Sequence, residues 1–309
     1  DTVQPTMTIT SPTVTSGTTS NNQTITVFFQ SSEATSNFIQ NDIVTTNATV
    51  QNFTKLGDTL YSAVITPVTD GLITISVASG VFSDAAGNQN LQAIPFHWTR
   101  DTTAPSKPSI TASFSTKETT PSFTVTAEIS STITVFDTSN DNNITAQFTI
   151  SESNGSFTVT YKNTQSDGTY SLYVKATDAY GNTSNQSNTF TITIDTVQPT
   201  MTITSPTVTS GTTSNNQTIT VFLQSSEATS NFIQNDIVTT NATVQNFTKL
   251  SDTLYSAVIT SESDGLITIS VASDVFTDAV GNQNLQAIPF HWTRDTTAPS
   301  KPSITASFS

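Results

Sequence analysis

The chain repeats itself after 194 residues, and this constrains its fold more than any other feature. Residues 195–294 copy residues 1–100 with eight substitutions. Self-similarity of fixed period is typical of arrays in which each unit packs mainly against its neighbours. The repeat therefore favours a structural protein over a catalyst, which has no use for a near-identical second domain. The substituted pairs are Phe29/Leu223, Gly57/Ser251, Pro67/Ser261, Val68/Glu262, Thr69/Ser263, Gly80/Asp274, Ser83/Thr277 and Ala86/Val280.

A different unit separates the two copies. This unit begins at residue 101 with the segment Asp-Thr-Thr-Ala-Pro-Ser-Lys-Pro-Ser-Ile. The same segment occurs again at residue 295. We therefore predict a type A domain at 1–100, a type B domain at 101–194, a second type A domain at 195–294 and the start of a further type B domain at 295–309. Each complete unit is large enough for a core of its own, so we expect an elongated array of beads.

Short stretches of alternating apolar and polar residues run through every unit. Ile94, Phe96 and Trp98, for example, share one face of a predicted strand. Such period-two patterns, separated by Gly, Asn and Asp turns, predict antiparallel β-sandwiches. About seven predicted strands per unit fit an immunoglobulin-like sandwich of roughly 100 residues, so the fold class is all-β. Predicted core residues are Val27, Ile75, Phe96 and Trp98 in A, and Phe123, Val135, Leu172 and Ile192 in B.

Acidic residues are few, and three of them recur at matching places in each unit. Each unit opens with an Asp, carries a Glu after its second predicted strand, and has an Asp-x-x-Gly-Asn motif before its last strand. The motif Asp precedes the first Asp of the next unit by 17 residues every time. The nine residues are Asp1, Glu33, Asp84, Asp101, Glu128, Asp178, Asp195, Glu227 and Asp278.

The topology of a Greek-key sandwich brings these three positions to one pole, where the preceding domain joins. Three carboxylates within a few ångström repel one another, and no Lys or Arg recurs in all three loops to neutralise them. A hard divalent cation with oxygen ligands resolves the repulsion, and Ca²⁺ is the natural candidate. We therefore predict structural Ca²⁺ at the interdomain junctions, with these nine carboxylates as ligands.

Each of these residues also has a simpler interpretation. An Asp before Gly-Asn forms turns, and a Glu at a strand end is often only solvated. A second recurrent pair, Asp-Gly at Asp70, Asp167 and Asp264, is expected at the opposite pole as a turn that could lend an outer ligand to the next junction. Arg100 and Arg294 directly precede a linker Asp, and pairing there would weaken or replace a metal site.

Several longer segments resemble a known family. The A unit carries Ser-Ser-Glu-Ala-Thr-Ser-Asn-Phe and Ser-Asp-Ala-Ala-Gly-Asn-Gln-Asn, and the B unit carries Ser-Asp-Gly-Thr-Tyr-Ser-Leu and Thr-Asp-Ala-Tyr-Gly-Asn-Thr-Ser. With these segments the whole chain resembles the bacterial immunoglobulin-like domains of biofilm-associated-protein type adhesins. The resemblance implies an extracellular stalk whose junctions are stiffened by Ca²⁺. The implied ligand sets are Asp1, Glu33 and Asp84 at the leading end, Asp101, Glu128 and Asp178 at the first joint, and Asp195, Glu227 and Asp278 at the second.

Composition agrees with a cell-surface location. The chain has no Cys and only 10% charged residues, and Ser and Thr together make up 106 of its 309 residues. Such sequence is typical of long surface proteins, although the absence of Cys alone also fits the cytosol. A net charge of -14 argues against nucleic acid and anionic membranes as partners. The expected partners are neighbouring repeats of the same chain, and lateral association of copies into a filament stays open.

Enzyme chemistry finds no support in the sequence. The two histidines, His97 and His291, are one position in two copies, and neither stands at motif spacing from a nucleophile or a metal cluster. We therefore predict no enzyme and place His97 on the outward face of its strand. The competing class is a module that itself binds a glycan or ice. Such a module should diverge in loops at one pole, whereas the A copies differ at scattered sites, which favours the spacer.

Overall fold

A computed structural model describes residues 1–35 and 37–305 of the chain. The described residues form 24 strands in six four-stranded sheets, arranged as three immunoglobulin-like domains. They contain no α-helix, and their helical turns are the short 3₁₀ segments Gln40–Asp42, Thr145–Gln147 and Gln234–Asp236. The predicted fourth segment, 295–309, has no strand over 295–305 and lies outside the described residues at 306–309.

The first domain is a sandwich of two sheets, with strand order β1-β3-β6-β5 in one and β2-β8-β7-β4 in the other. The strands alternate buried and exposed residues, as the sequence predicts. Their bounds are β1 Met7–Thr10, β2 Thr19–Ser20, β3 Ile25–Ser31, β4 Ile43–Thr46, β5 Ala48–Lys55, β6 Leu60–Pro67, β7 Gly71–Val77 and β8 Phe96–Arg100.

The middle and last domains repeat this plan. The middle domain has sheets β13-β14-β11-β9 and β10-β16-β15-β12, and the last has β17-β19-β22-β21 and β18-β24-β23-β20. The middle strands are β9 Ser109–Ile110, β10 Phe114–Thr116, β11 Ser122–Thr126, β12 Thr132–Asp137, β13 Phe148–Ser153, β14 Ser156–Tyr161, β15 Gly168–Thr177 and β16 Phe190–Ile194. The last are β17 Met201–Thr204, β18 Thr213–Ser214, β19 Thr218–Ser225, β20 Ile237–Thr240, β21 Ala242–Lys249, β22 Leu254–Ser261, β23 Gly265–Val271 and β24 Phe290–Arg294.

Each domain has eight strands rather than the predicted seven because its first strand changes sheet. In the first domain β1 pairs antiparallel with β3, whereas β2 pairs parallel with β8. The chain keeps its direction as it passes from one sheet to the other between β1 and β2. The last strand, β8, runs in the same direction as β2, so these two pair parallel. The turn before β2 contains Gly17, whose φ of 88° favours glycine. The predicted antiparallel sandwich is therefore confirmed, and each domain adds one short parallel pair between its second and last strands.

The predicted core residues are all buried, with exposed fractions of 4% or less. His97 is exposed between the buried Phe96 and Trp98, as predicted. Ile94, however, does not belong to this stripe, because it is 87% exposed and β8 begins only at Phe96. The reason is Pro95, which has no N–H to donate and delays the start of sheet pairing.

The two A domains have the same pairing register despite their substitutions. Ile25 lies opposite Ile65 in the first, and Ile219 lies opposite Ile259 in the last. Phe29 and its replacement Leu223 are both fully buried, while the other substitutions fall in turns or at the end of a strand. The substitutions therefore leave the strand register of the two copies unchanged.

Backbone contacts divide the chain into two compact units. The first comprises Asp1–Thr111, Ser122–Thr160 and Ser171–Phe190, and the second comprises Ala112–Pro121, Tyr161–Tyr170 and Thr191–Ser309. The division passes through the middle domain. The linker at 101–103 and its surroundings therefore lie in the first unit, and the linker at 195–197 lies in the second.

Candidate metal centres

Three carboxylates meet at the starting pole of the first domain. Asp1, Glu33 and Asp84 each offer an oxygen, and these oxygens lie within 4.8 Å of one another. Asp84 is buried, Glu33 half-buried and Asp1 exposed. They come from the N-terminal segment, from the loop after β3 and from the Asp-x-x-Gly-Asn loop before β8, which we call the motif loop. The predicted convergence of these loops therefore occurs.

The last domain builds the same cluster from its own residues. Oxygens of Asp195, Glu227 and Asp278 also lie within 4.8 Å of one another, with Asp278 buried and the other two half-buried. No ion pair among the described residues involves any member of either cluster. Within the described residues, the structure thus concentrates negative charge at two separate sites whose carboxylates form no ion pair.

An asparagine that the sequence reasoning did not single out holds each motif Asp. Nδ2 of Asn282 donates to Oδ2 of Asp278 at 2.8 Å and to the carbonyl oxygen of Asp195 at 2.8 Å. Asn88 binds Asp84 and the carbonyl oxygen of Asp1 in the same way. One side-chain amide therefore connects the motif carboxylate to the linker. A signal was present in the sequence, because this Asn is the last residue of the recurring motif.

Backbone amides fix the other oxygen of the motif Asp. Oδ1 of Asp278 accepts from the N–H groups of Val280 at 2.9 Å, Gly281 at 2.7 Å and Asn282 at 2.9 Å. This tight loop requires a φ of 92° at Gly281, a value that favours glycine. The loop is therefore closed around its own carboxylate and holds it in place.

A buried tyrosine positions the loop that carries the Glu. The hydroxyl of Tyr61 donates to the carbonyl oxygen of Thr35 at 2.7 Å, two residues beyond Glu33. In the last domain Tyr255 donates to Thr229 at 2.9 Å. Both tyrosines are buried in the core, so each Glu loop is anchored from the domain interior.

The middle domain arranges its carboxylates differently. Asp101, Glu128 and Asp178 line one open pocket of about 330 Å³ but do not meet the 4.8 Å limit that the other two sets satisfy. Glu128 lies in a short turn between β11 and β12, closed by a bond from the Ser131 N–H to its carbonyl oxygen. Asn182 keeps the common role, donating to Asp178 at 2.8 Å and to the Asp101 carbonyl oxygen at 3.1 Å. The carboxylates of Asp101, Glu128 and Asp178 therefore face one pocket but do not form a compact cluster.

The surroundings shift pKa values in both directions. Burial raises the pKa of Glu227, and the negative charges of Asp195 and Asp278 raise it further. At Asp84 the hydrogen bonds donated by Asn88, its side chain first, lower the pKa against the opposing effect of burial. Without a cation, burial and the two neighbouring carboxylates therefore disfavour the charged form of Glu227.

The Asp-Gly turns at the opposite pole bind the linker rather than a metal cluster. Oδ2 of Asp70 accepts from the N–H of Thr102 at 3.1 Å, and its Oδ1 accepts from the Thr102 hydroxyl at 2.9 Å. Arg100 pairs with Asp70 at 3.2 Å, and Arg294 pairs with Asp264 at 3.4 Å. The arginines therefore pair with the turns and not with the starting-pole carboxylates, because Arg100 lies directly opposite Gly71 in the sheet.

The two linkers are accompanied by different side-chain contacts. Near the first, Nδ2 of Asn21 lies 3.4 Å from Oδ1 of Asn182 in the motif loop of the middle domain. Near the second, Nζ of Lys117 donates to the carbonyl oxygen of Gly281 at 2.9 Å. Asn21 and Lys117 occupy equivalent positions, one residue after β2 and β10. The A-to-B junction thus has a neutral contact where the B-to-A junction has a cation.

Comparison with family models identifies the class of protein. Residues 1–95 and 195–291 match one model and residues 103–196 match another, both described as a bacterial Ig-like domain. The chain therefore belongs to the bacterial Ig-like domain family. Domains of this family are commonly extracellular surface modules, and families of this fold are typically non-enzymatic.

The chain is also similar, at low sequence identity, to solved structures of tandem domains. An I-band fragment of titin is 10% identical over 96% of this chain and 97% of its own, with a TM-score of 0.40. Invasin, a bacterial integrin-binding protein, is 12% identical over 93% of this chain and 60% of its own, with a TM-score of 0.36. The comparison with curated proteins gives no significant match. Within the described residues, no helix is long and apolar enough to cross a membrane.

Proposed function

We propose that this chain is a spacer segment of an extracellular adhesin-like or filament-forming surface protein, with Ca²⁺ at its interdomain junctions. One observation carries the proposal: in both A domains, carboxylates from the Glu loop and the motif loop meet a third carboxylate within 4.8 Å, that of Asp1 in the N-terminal segment or of Asp195 in the second linker. Such an ion would connect the segment between two domains to two loops of the following domain. Its function would be mechanical.

The chemistry of the ligands favours a hard cation. All three side chains of each cluster are carboxylates, and the two histidines of the chain belong to neither. Ca²⁺ takes six to eight oxygen ligands at about 2.3–2.6 Å and tolerates irregular geometry, whereas Zn²⁺ prefers nitrogen and sulfur. Carbonyl oxygens and water would complete the shell. Extracellular modules hold Ca²⁺ with a Kd of about 10⁻⁴–10⁻³ M, which suffices outside the cell.

The cost of leaving the cluster empty supports a bound cation. Glu227 has a raised pKa because burial and two neighbouring carboxylates disfavour its charged form. A divalent cation removes that repulsion and favours the ionised form of Glu227. At the second linker the ion would bind Asp195 together with Glu227 and Asp278, limiting rotation about the segment that enters the last domain.

The distribution of differences between the two A copies favours a spacer over a glycan- or ice-binding module. One substitution, Phe29 to Leu223, is in the core, and the others fall on turns and strand ends at both poles. A binding module would concentrate its variation in the loops of one pole. We therefore retain the spacer, with lateral assembly of copies as an open extension of it.

Calcium titration of the full chain by calorimetry tests the proposal. We expect Glu33→Gln and Glu227→Gln each to remove one bound ion, because each removes a charged ligand from a different cluster. Glu262→Val is the matched control, since it changes an exposed acid of the last domain to the residue that the first domain carries at Val68. This control should bind as the parent does. An unchanged ion count in both Gln variants would refute the metal sites.

Small-angle scattering of the same protein tests the mechanical part. Chelation should increase the flexibility of the chain while the sandwiches remain folded, because their cores do not include the clusters. If scattering is identical with and without Ca²⁺, at concentrations where calorimetry shows binding, the ion binds but does not stiffen the chain, and the mechanical part of the proposal is wrong.

A further inference from the structure

We infer that each domain carries at its far end a carboxylate latch that holds the outgoing linker without any metal. The latch consists of the Asp of the Asp-Gly turn and the Thr that follows the linker Asp. The three pairs are Asp70 with Thr102, Asp167 with Thr196 and Asp264 with Thr296. Its second role, positioning a ligand for Ca²⁺, rests on the proposed function, whereas the latch itself does not.

The three latches share one geometry. In each, the carboxylate accepts both the backbone N–H and the hydroxyl of the same Thr. Oδ1 of Asp167 accepts from the Thr196 N–H at 3.1 Å and from its hydroxyl at 2.9 Å. Oδ2 of Asp264 accepts from Thr296 at 3.1 and 2.6 Å. Hydrogen bonds to an ionised acceptor are stronger than neutral ones, so a paired contact of this kind can order a short linker.

The latch does not depend on the arginine beside it. In the A domains Arg100 or Arg294 also pairs with the turn carboxylate. In the middle domain the residue before the linker is Ile194, yet the Asp167 latch forms with the distances of the Asp70 latch, 3.1 Å from the N–H and 2.9 Å from the hydroxyl. Aspartate and threonine are therefore the common parts, and they recur in domains of otherwise dissimilar sequence.

The third latch joins the last domain to the segment that follows β24. Its carboxylate, Asp264, accepts the N–H and the hydroxyl of Thr296. The linker Asp is bound here as well, since the N–H of Asp295 donates to the carbonyl oxygen of Ser214 at 3.1 Å. Both contacts belong to the domain that the linker leaves.

At the second linker these contacts enclose a proposed metal ligand. The N–H of Asp195 donates to the carbonyl oxygen of Thr116 in the preceding domain, and its own carbonyl oxygen accepts from Asn282 in the following one. Thr196, the next residue, is held by Asp167. The backbone of Asp195 is thus held on both sides before any ion arrives, which lowers the ordering cost of binding.

Amide hydrogen exchange of the full chain in EDTA, read by NMR, tests the latch directly. We expect the amides of Thr102, Thr196 and Thr296 to be protected in the parent. Asp167→Ala should accelerate exchange at Thr196 about tenfold while the other two threonines serve as unchanged internal controls. Thr196→Val, which removes only the hydroxyl and keeps the Asp-Gly turn, should accelerate exchange at residue 196 by a smaller factor.

Two outcomes separate the latch from the metal sites. Exchange of all three amides at the rate of an unstructured peptide in the parent protein would overturn the latch, whatever the chain does with Ca²⁺. Protection that disappears in Asp167→Ala establishes the latch even if calorimetry detects no ion. If ions do bind, Asp167→Ala should weaken Ca²⁺ binding at the Asp195 site about tenfold and leave the affinity of the Asp1 site unchanged. An affinity at the Asp195 site equal to that of the parent protein would refute the positioning role.

Discussion

Replacing Asn282 with Ala tests how much of the motif loop depends on one side-chain amide. Nδ2 of Asn282 makes two bonds of 2.8 Å, one to the buried carboxylate of Asp278 and one to the carbonyl oxygen of Asp195. A bond to a charged group contributes about 1.5–3 kcal/mol and a neutral bond about 0.5–1.5 kcal/mol. Three backbone amides still hold Oδ1 of Asp278, so the loop survives. We therefore expect the last domain to lose about 2–4 kcal/mol in the absence of metal.

The two tryptophans allow this loss to be measured in the full chain. Trp98 and Trp292 are both fully buried, one in each A domain, and the sequence contains no other Trp. In a Trp98→Phe background, the fluorescence of Trp292 reports unfolding of the last domain alone. With a urea m-value of about 2 kcal/mol/M, the midpoint should fall by about 1–2 M.

Calcium supplies a second arm of the same experiment. A bound ion would take over Oδ2 of Asp278, so the cost of Asn282→Ala should shrink when Ca²⁺ is added. Glu262→Val again serves as the control and should leave the midpoint nearly unchanged. A midpoint shift for Asn282→Ala no larger than that of the control would show that the two hydrogen bonds contribute nothing net, and the account of the loop would be wrong.

Three further predictions concern the core and the charge cluster. Phe96→Ala should destabilise the first domain by about 3–5 kcal/mol because the ring is buried, as followed by Trp98 fluorescence in a Trp292→Phe background. Phe29→Leu should cost less than about 1.5 kcal/mol in the same assay, since Leu223 fills the equivalent place in the last domain; a larger loss would mean that the two cores are packed differently. In EDTA, NMR titration of Glu227 should give a pKa above its usual 4.5. Its contribution to stability is then present at lower pH and is lost as the pH rises through the raised pKa, and a pKa at or below 4.5 would contradict the repulsion.

The strand pattern and core could be predicted from sequence because they depend on local periodicity. A side chain two positions along a strand returns to the same face, so the alternation around Val27 and Phe123 identifies buried residues without knowledge of the partners. The repeat at 194 residues likewise needs no structure. Ile94 shows the limit of this reasoning, because it continues the pattern while the proline after it delays the strand.

The linker contacts could not be predicted with the same certainty because they join residues far apart in sequence. Asp70 is typical of a turn, and only the pairing of β7, which begins at the next residue, with β8 brings it to Arg100 and Thr102. Recurrence of Asp-Gly and of Asp-Thr was visible, but their meeting was not. In all three domains the tertiary structure brings the Asp of the Asp-Gly turn next to the Thr of the linker, so the two recurring motifs form one latch.

Sequence by itself determined the all-β class, the repeat and the set of nine carboxylates, because each is a matter of local pattern or spacing. The tertiary structure decided which carboxylates meet. It assembles the sets of Asp1 and Asp195 through long Glu loops anchored by a buried tyrosine, whereas the short turn of Glu128 leaves the middle set open. Whether the carboxylates meet depends on how long each Glu loop is and on how it is anchored in the folded domain. The spacing of the acidic residues along the sequence does not show this.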